Sequence, residues 1–118
     1  MADAAQIDSL YQQGFDARTS GNYGLAKLYL ESVVNQDPSH VQARHQLGLI
    51  QGFEGDFEGS VNTLQTISNQ FPDNLEVRYD LAMTQMMLGM IDEAAANFRY
   101  ILSVQPNHEK ALQQLAYF

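Results

Sequence analysis

The side chains that could do chemistry in this chain are few and scattered. There are three histidines, His40, His45 and His108, no cysteine, and 14 Asp and Glu against 6 Lys and Arg. His45, together with Tyr11 and Tyr79, could meet a ligand. No serine, cysteine or carboxylate is spaced around it as a nucleophile and its base would be, so the sequence predicts no catalytic set and no enzyme. Glu54, Asp56 and Glu58 alternate around Gly55. A calcium loop needs oxygen donors over a longer stretch that closes on a glutamate, and this segment reads instead as a solubilising run. His40 and His108 fall at the same point of a recurring turn, which predicts turn capping and not one shared metal site. Glycines recur singly and do not form a phosphate-cradling loop. Neither a cofactor nor a metal is expected. Glu76 and Asp80 lie one helical turn apart; they would repel a carboxylate and favour cationic groups, the plainer reading being a solvated face.

The formal charge of −8 argues against nucleic acid as a partner, because binding a phosphate backbone rests on clustered cations that release counterions. No apolar run approaches the ~18–20 residues that cross a bilayer, and no basic segment followed by an apolar one opens the chain, so no membrane insertion is expected. The absence of cysteine leaves both reducing and oxidising compartments open. A soluble protein, with the cytoplasm slightly favoured, is the expectation.

The elements that must position these residues are announced by a repeat. Pro38, Pro72 and Pro106 share one spacing with Gly21, Gly55 and Gly89, and with the small series Gly14, Gly48, Ala82 and Ala116. Around them Tyr23, Phe57 and Ile91 are apolar, Leu30, Leu64 and Phe98 are bulky, and Val33, Ile67 and Ile101 are β-branched. A repeat is the first thing to read in such a chain. Within each copy apolar residues recur at helical intervals, as in Ile7, Leu10, Tyr11, Gly14 and Phe15 and then in Tyr23, Ala26, Leu30 and Val33. Gly21, Gly55 and Gly89 mark the turns inside each pair, and the prolines separate one pair from the next. The reading is three helix pairs over 7–40, 41–74 and 75–108, followed by a terminal helix at 109–118, as one domain over 7–118. Met1 to Gln6 either frays or extends the first helix.

This pattern resembles the tetratricopeptide repeat. The family's large, small, glycine and proline positions are met by Gly14, Gly21, Ala26, Leu30, Val33 and Pro38, and by Leu47, Gly48, Gly55, Ser60, Leu64, Ile67 and Pro72. The third copy supplies Leu81, Ala82, Gly89, Ala94, Phe98, Ile101 and Pro106. The chain departs from the pattern at Leu10, Arg44 and Arg78, where an aromatic is favoured, at Gln13 in place of a leucine-like residue, and at Ala17, Gln51 and Gln85 in place of tyrosine. The resemblance implies an all-α, right-handed superhelical solenoid of antiparallel helix pairs whose concave side is lined by the first helices.

Carried onto this chain, the family's concave stripe falls on Asp8, Tyr11, Phe15, Arg18 and Thr19, then Gln42, His45, Leu49, Gly52 and Phe53, then Glu76, Tyr79, Met83, Met86 and Met87. Aromatic and methionine side chains there suit an extended or helical peptide better than a fixed metabolite. The peptide groove is accordingly expected at Asp8, Tyr11, Phe15, His45, Leu49, Phe53, Glu76, Tyr79, Met83, Met86 and Met87. The alternative is that Leu49, Met83 and Met86 mostly fill the core between repeats. The lysine, asparagine and arginine clamp with which one branch of the family grips a terminal carboxylate is absent, since Tyr11, Phe15, Gln46, Glu76 and Asp80 stand in those places.

Two functions compete. The first is a non-enzymatic module that binds a protein or peptide segment, apolar with basic groups, in the groove. The second is a structural or oligomerising segment of a larger assembly, acting through terminal or convex surfaces. Leu112, Leu115, Tyr117 and Phe118, on a helix without a pairing partner, predict self-association there.

Overall fold

A computed structural model describes residues 3–118, and Met1 and Ala2 of the opening segment lie outside the described residues. Seven helices follow one another: α1 Ala4–Thr19, α2 Tyr23–Gln36, α3 Val41–Phe53, α4 Phe57–Gln70, α5 Leu75–Met87, α6 Ile91–Val104 and α7 Glu109–Leu115. Among the described residues there is no strand, and no helix is long and apolar enough to cross a membrane.

The turns explain why the helices pair. Gly21, Gly55 and Gly89 adopt φ of 82°, 94° and 75°, a conformation in which a Cβ would be strained. In each turn the residue after the glycine donates its amide back across the helix end, Asn22 to Ala17 at 2.8 Å, Asp56 to Gln51 at 2.8 Å and Met90 to Gln85 at 2.9 Å. That 6→1 bond around a left-handed residue stops the first helix and reverses the chain. Asn22 and Asp56 then cap the second helix, accepting from Leu25 and Gly59. Between pairs, the residue before each proline is extended and its carbonyl accepts an amide three residues on, as from His40 to Asp37 at 3.0 Å. His40 and His108 each accept an amide on Nδ1 at 3.1 Å, and Asn74, one repeat after His40, does the same through its side-chain oxygen. The histidines thus act as N-caps, as their turn positions predict.

The described residues extend over 46 × 28 × 22 Å with a radius of gyration of 14.9 Å, larger than the ~13.5 Å of a compact globule of this length. Buried side chains form three clusters along the long axis. Ala17, Ala26, Leu30 and Ile50 join α1 to α3; Leu64, Ile67, Val77 and Leu81 join α4 to α5; Ala82, Phe98, Ile101 and Ala111 join α5 to α7. The small positions allow the close crossings. A Cβ on Gly14 would stand 2.7 Å from Leu30 Cγ, and one on Gly48 would stand 3.0 Å from Leu64 Cδ2. At Gln51 and Gln85, polar bridges replace tyrosine packing within a pair: Thr63 Oγ1 donates to Gln51 at 2.6 Å and Asn97 Nδ2 to Gln85 at 2.7 Å.

One expectation is met in one of its two forms and one shifts. Asp3 and Gln6 form a capping box that extends α1 to Ala4, ahead of Ile7. The terminal helix ends at Leu115, short of 118, because the amides of Tyr117 and Phe118 turn back onto Gln114 and Leu115 and the Phe118 ring folds onto Phe98 at 6.1 Å. The acidic run around Gly55 has local work as well. Glu54 pairs with Lys27 of α2 at 2.9 Å and Asp56 caps α4.

Candidate functional cleft

First helices of successive pairs touch each other, and between α3 and α5 they part to leave a cleft of about 370 Å³. Leu49 and Phe53 of α3 form one wall and Tyr79, Met83 and Met87 of α5 the other, while Phe57 and Ser60 of α4 supply the floor. Phe53 is 52% exposed and Met87 67%, so large apolar surface faces solvent at the mouth. Leaving such surface wet is unfavourable by about 25 cal/mol per Å², which makes a contiguous apolar cleft a place where a partner gains by docking.

The cleft carries polar groups at defined points. Asp80 lines it, and its Oδ2 is held at 2.7 Å by Nε2 of His45. Thr84 Oγ1 donates to the Asp80 carbonyl at 2.9 Å. Ser60 is 1% exposed and its hydroxyl has no hydrogen-bond partner. Unpartnered buried hydroxyls are uncommon and costly.

The expected groove residues divide among three places. Leu49, Phe53, Tyr79, Met83 and Met87 meet in the cleft. Tyr11 and Phe15 lie beside it on α1 with ring centroids 6.3 Å apart, and Arg18 separates them from the cleft, its guanidinium carbon 5.2 Å from the Phe15 centroid and 5.8 Å from that of Phe53. Asp8 and Glu76 are exposed on α1 and α5. Two placements differ from the expected groove, that of Met86 agreeing with the alternative that it fills the core between repeats. His45 is 8% exposed and engaged with Asp80, so it holds α3 to α5 and does not present its ring to a ligand. Met86 packs on the α5–α7 cluster and borders a separate cleft with Ile91, Ala95, Tyr117 and Phe118, because neighbouring residues on a helix point about 100° apart and Met87 alone turns to the α3 side. Tyr79 has a double allegiance, packing edge-on against buried Phe98 at 5.7 Å while lining the cleft.

Phe57 and Ser60 escape a stripe drawn on first-helix positions alone, since the floor comes from a second helix, and Thr84 of α5 falls one residue past Met83 on that stripe. The signal available for the first two was the repeat itself, which sets Phe57 and Ser60 one step after Tyr23 and Ala26. Charges of both signs stand beside the cleft. Burial pushes the Tyr11 phenol above its ordinary value; Arg18 opposes this, Glu76 of α5 adds to it, and the Gln46 side chain opposes it. Among the described residues no group of three or more acidic, histidine or cysteine side chains could hold a metal ion.

Comparison with curated proteins finds no match. Among solved structures, a mutant of the Thermobaculum terrenum O-GlcNAc transferase superposes with a TM-score of 0.87 at 23% identity, over 98% of this chain and 22% of that one. YrrB, described as a TPR protein with an unusual peptide-binding site, gives 0.81 at 22% identity over 97% of this chain and 57% of its own. PcrH, solved in complex with the chaperone binding region of PopB, gives 0.82 at 18% identity over 98% and 96%. The chain thus spans about a fifth of the transferase and little more than half of YrrB. These likenesses establish the fold, an all-α solenoid of antiparallel helix pairs. A family model described as the tetratricopeptide repeat matches residues 54–116, more than half of the 118 residues, and the same helix pair recurs on the N-terminal side of the match: the chain belongs to the tetratricopeptide repeat family.

Proposed function

We propose that this protein is a non-enzymatic interaction module that holds a peptide or helical segment of a partner against the α3–α5 cleft and the first-helix faces beside it. The observation that carries this reading is the cleft itself, where five apolar or aromatic side chains from two first helices converge around about 370 Å³ of open space. Tetratricopeptide repeat folds generally mediate protein or peptide binding, and two structures of this fold are described by the segment they hold or the peptide site they carry. Asp80, Glu76 and Asp8 along the same side, with the −8 charge of the chain, favour an apolar segment that also bears basic groups.

The test is calorimetry on peptides selected from a random display library. Phe53→Ala and Met87→Ala should each weaken binding by roughly 1–3 kcal/mol, the scale of an interface anchor, with helicity retained by circular dichroism. Unchanged affinity in both variants, with helicity intact, removes the cleft from the reading. A second mode, self-association, is favoured by the apolar surface beyond α6, where Val104 is 53% exposed, Leu112 48% and Tyr117 81%.

A further inference from the structure

The α3–α5 cleft has a counterpart one repeat earlier, and there a side chain lies across it. Moving back by one repeat replaces Leu49 with Phe15, Phe57 with Tyr23, Met87 with Phe53, and Gly52 with Arg18. Arg18 crosses from α1 toward α3, lying over Phe15 at 5.2 Å and Phe53 at 5.8 Å, and Tyr23 stacks on Phe53 at 5.7 Å. Its Nε is sealed from solvent. The first interval is therefore closed by the protein's own arginine, laid on aromatic faces.

One repeat on, the plug is missing. Gly52 has no side chain, and a Cβ built there would already meet Ser60 Oγ at 3.3 Å. Two further residues change in the same step. Gln46 gives way to Asp80 and Ala26 to Ser60, so a carboxylate and a hydroxyl replace an amide and a methyl group. His45 engages only Oδ2 of Asp80, and the Ser60 hydroxyl has no partner. At the third interval Met86 stands where Gly52 does, and the cleft there is bordered by Ile91, Tyr117 and Phe118.

We propose that the α3–α5 cleft is a pocket for one arginine side chain of the bound segment, seated where Arg18 sits one repeat earlier. This rests on the groove reading above and narrows it. The stem would lie along Leu49 and Phe57, and the guanidinium would reach the Asp80 carboxylate. An apolar guest would strip water from the Asp80 carboxylate and give it no hydrogen bond in return. Lysine offers a compact, strongly hydrated charge, whereas a guanidinium is more weakly hydrated and brings a planar fork of donors to a carboxylate.

The experiment titrates N-acetyl-arginine methylamide, and the lysine and methionine analogues, into protein labelled at its methionine methyls. The arginine probe should shift Met83 and Met87, leave Met90 unmoved, and bind at least about tenfold more tightly than either analogue. Asp80→Asn should erase that preference, with circular dichroism confirming the helices. Gly52→Arg should plug the cleft from within and abolish the shifts; if it does not fold, Asp80→Asn still decides. Equal binding of the three probes, or an arginine preference that survives Asp80→Asn, overturns the arginine pocket while leaving the groove reading in place. Absence of any shift at Met83 and Met87 also overturns it. The groove reading then stands or falls separately, on whether Phe53→Ala and Met87→Ala weaken the selected peptides.

Discussion

Tyr11 shows how one residue reports its surroundings. Because burial raises the phenol's pKa, the folded protein holds that proton more firmly than the unfolded chain does. The resulting stability is fully present below the unfolded value near 10 and is lost as pH rises through the higher folded value. Tyr11→Phe cannot ionise and should shrink the alkaline loss of stability, so urea midpoints of the two proteins at pH 9 and at pH 11 should diverge less steeply in the variant. An identical alkaline loss in both would show that Tyr11 does not contribute. Residue by residue, the sequence told which side chains share a helical face, and Phe53, Met83 and Met87 meet as that face requires. It did not tell what stands opposite. His45 lies on the right stripe, yet the Asp80 carboxylate reaches it from the next first helix and takes its ring nitrogen, a contact 35 residues away along the chain.

The helices were legible because their punctuation is local. A positive-φ glycine, a proline and a capping side chain act within a few residues, so Gly21, Gly55 and Gly89, with Pro38, Pro72 and Pro106, mark the breaks that the backbone shows. The two ends were less legible, since the Asp3 capping box and the fold of Phe118 onto Phe98 depend on side-chain contacts that no periodicity displays. The caps also expose a weak point. α2 and α4 begin at Asn22 and Asp56, but α6 begins at Met90, which makes no side-chain cap bond. Met90→Asn should restore that bond and stabilise the protein by about 1 kcal/mol in urea unfolding. Asparagine is preferable to aspartate because Asp92 and Glu93 already charge the first turn. No gain would mean that the amides at this helix start are as well served by water as by a side chain.

For the molecule as a whole, the apolar surface beyond α6 predicts association of copies through that face. Sedimentation should show a concentration-dependent dimer, and replacing Tyr117 and Phe118 with serine should abolish it; a monomer at high concentration rules the contact out. The division of the buried side chains into three clusters has a different consequence. Each cluster is made by helices adjacent in the chain, so the array is a set of links joined at seams, each resting on its nearest neighbours. A segment in the α3–α5 cleft would lie across the seam between the second and third pairs as a splint, making that joint costlier to open. Occupancy would then be felt as the stiffening of one joint, with the outline of the molecule unaltered.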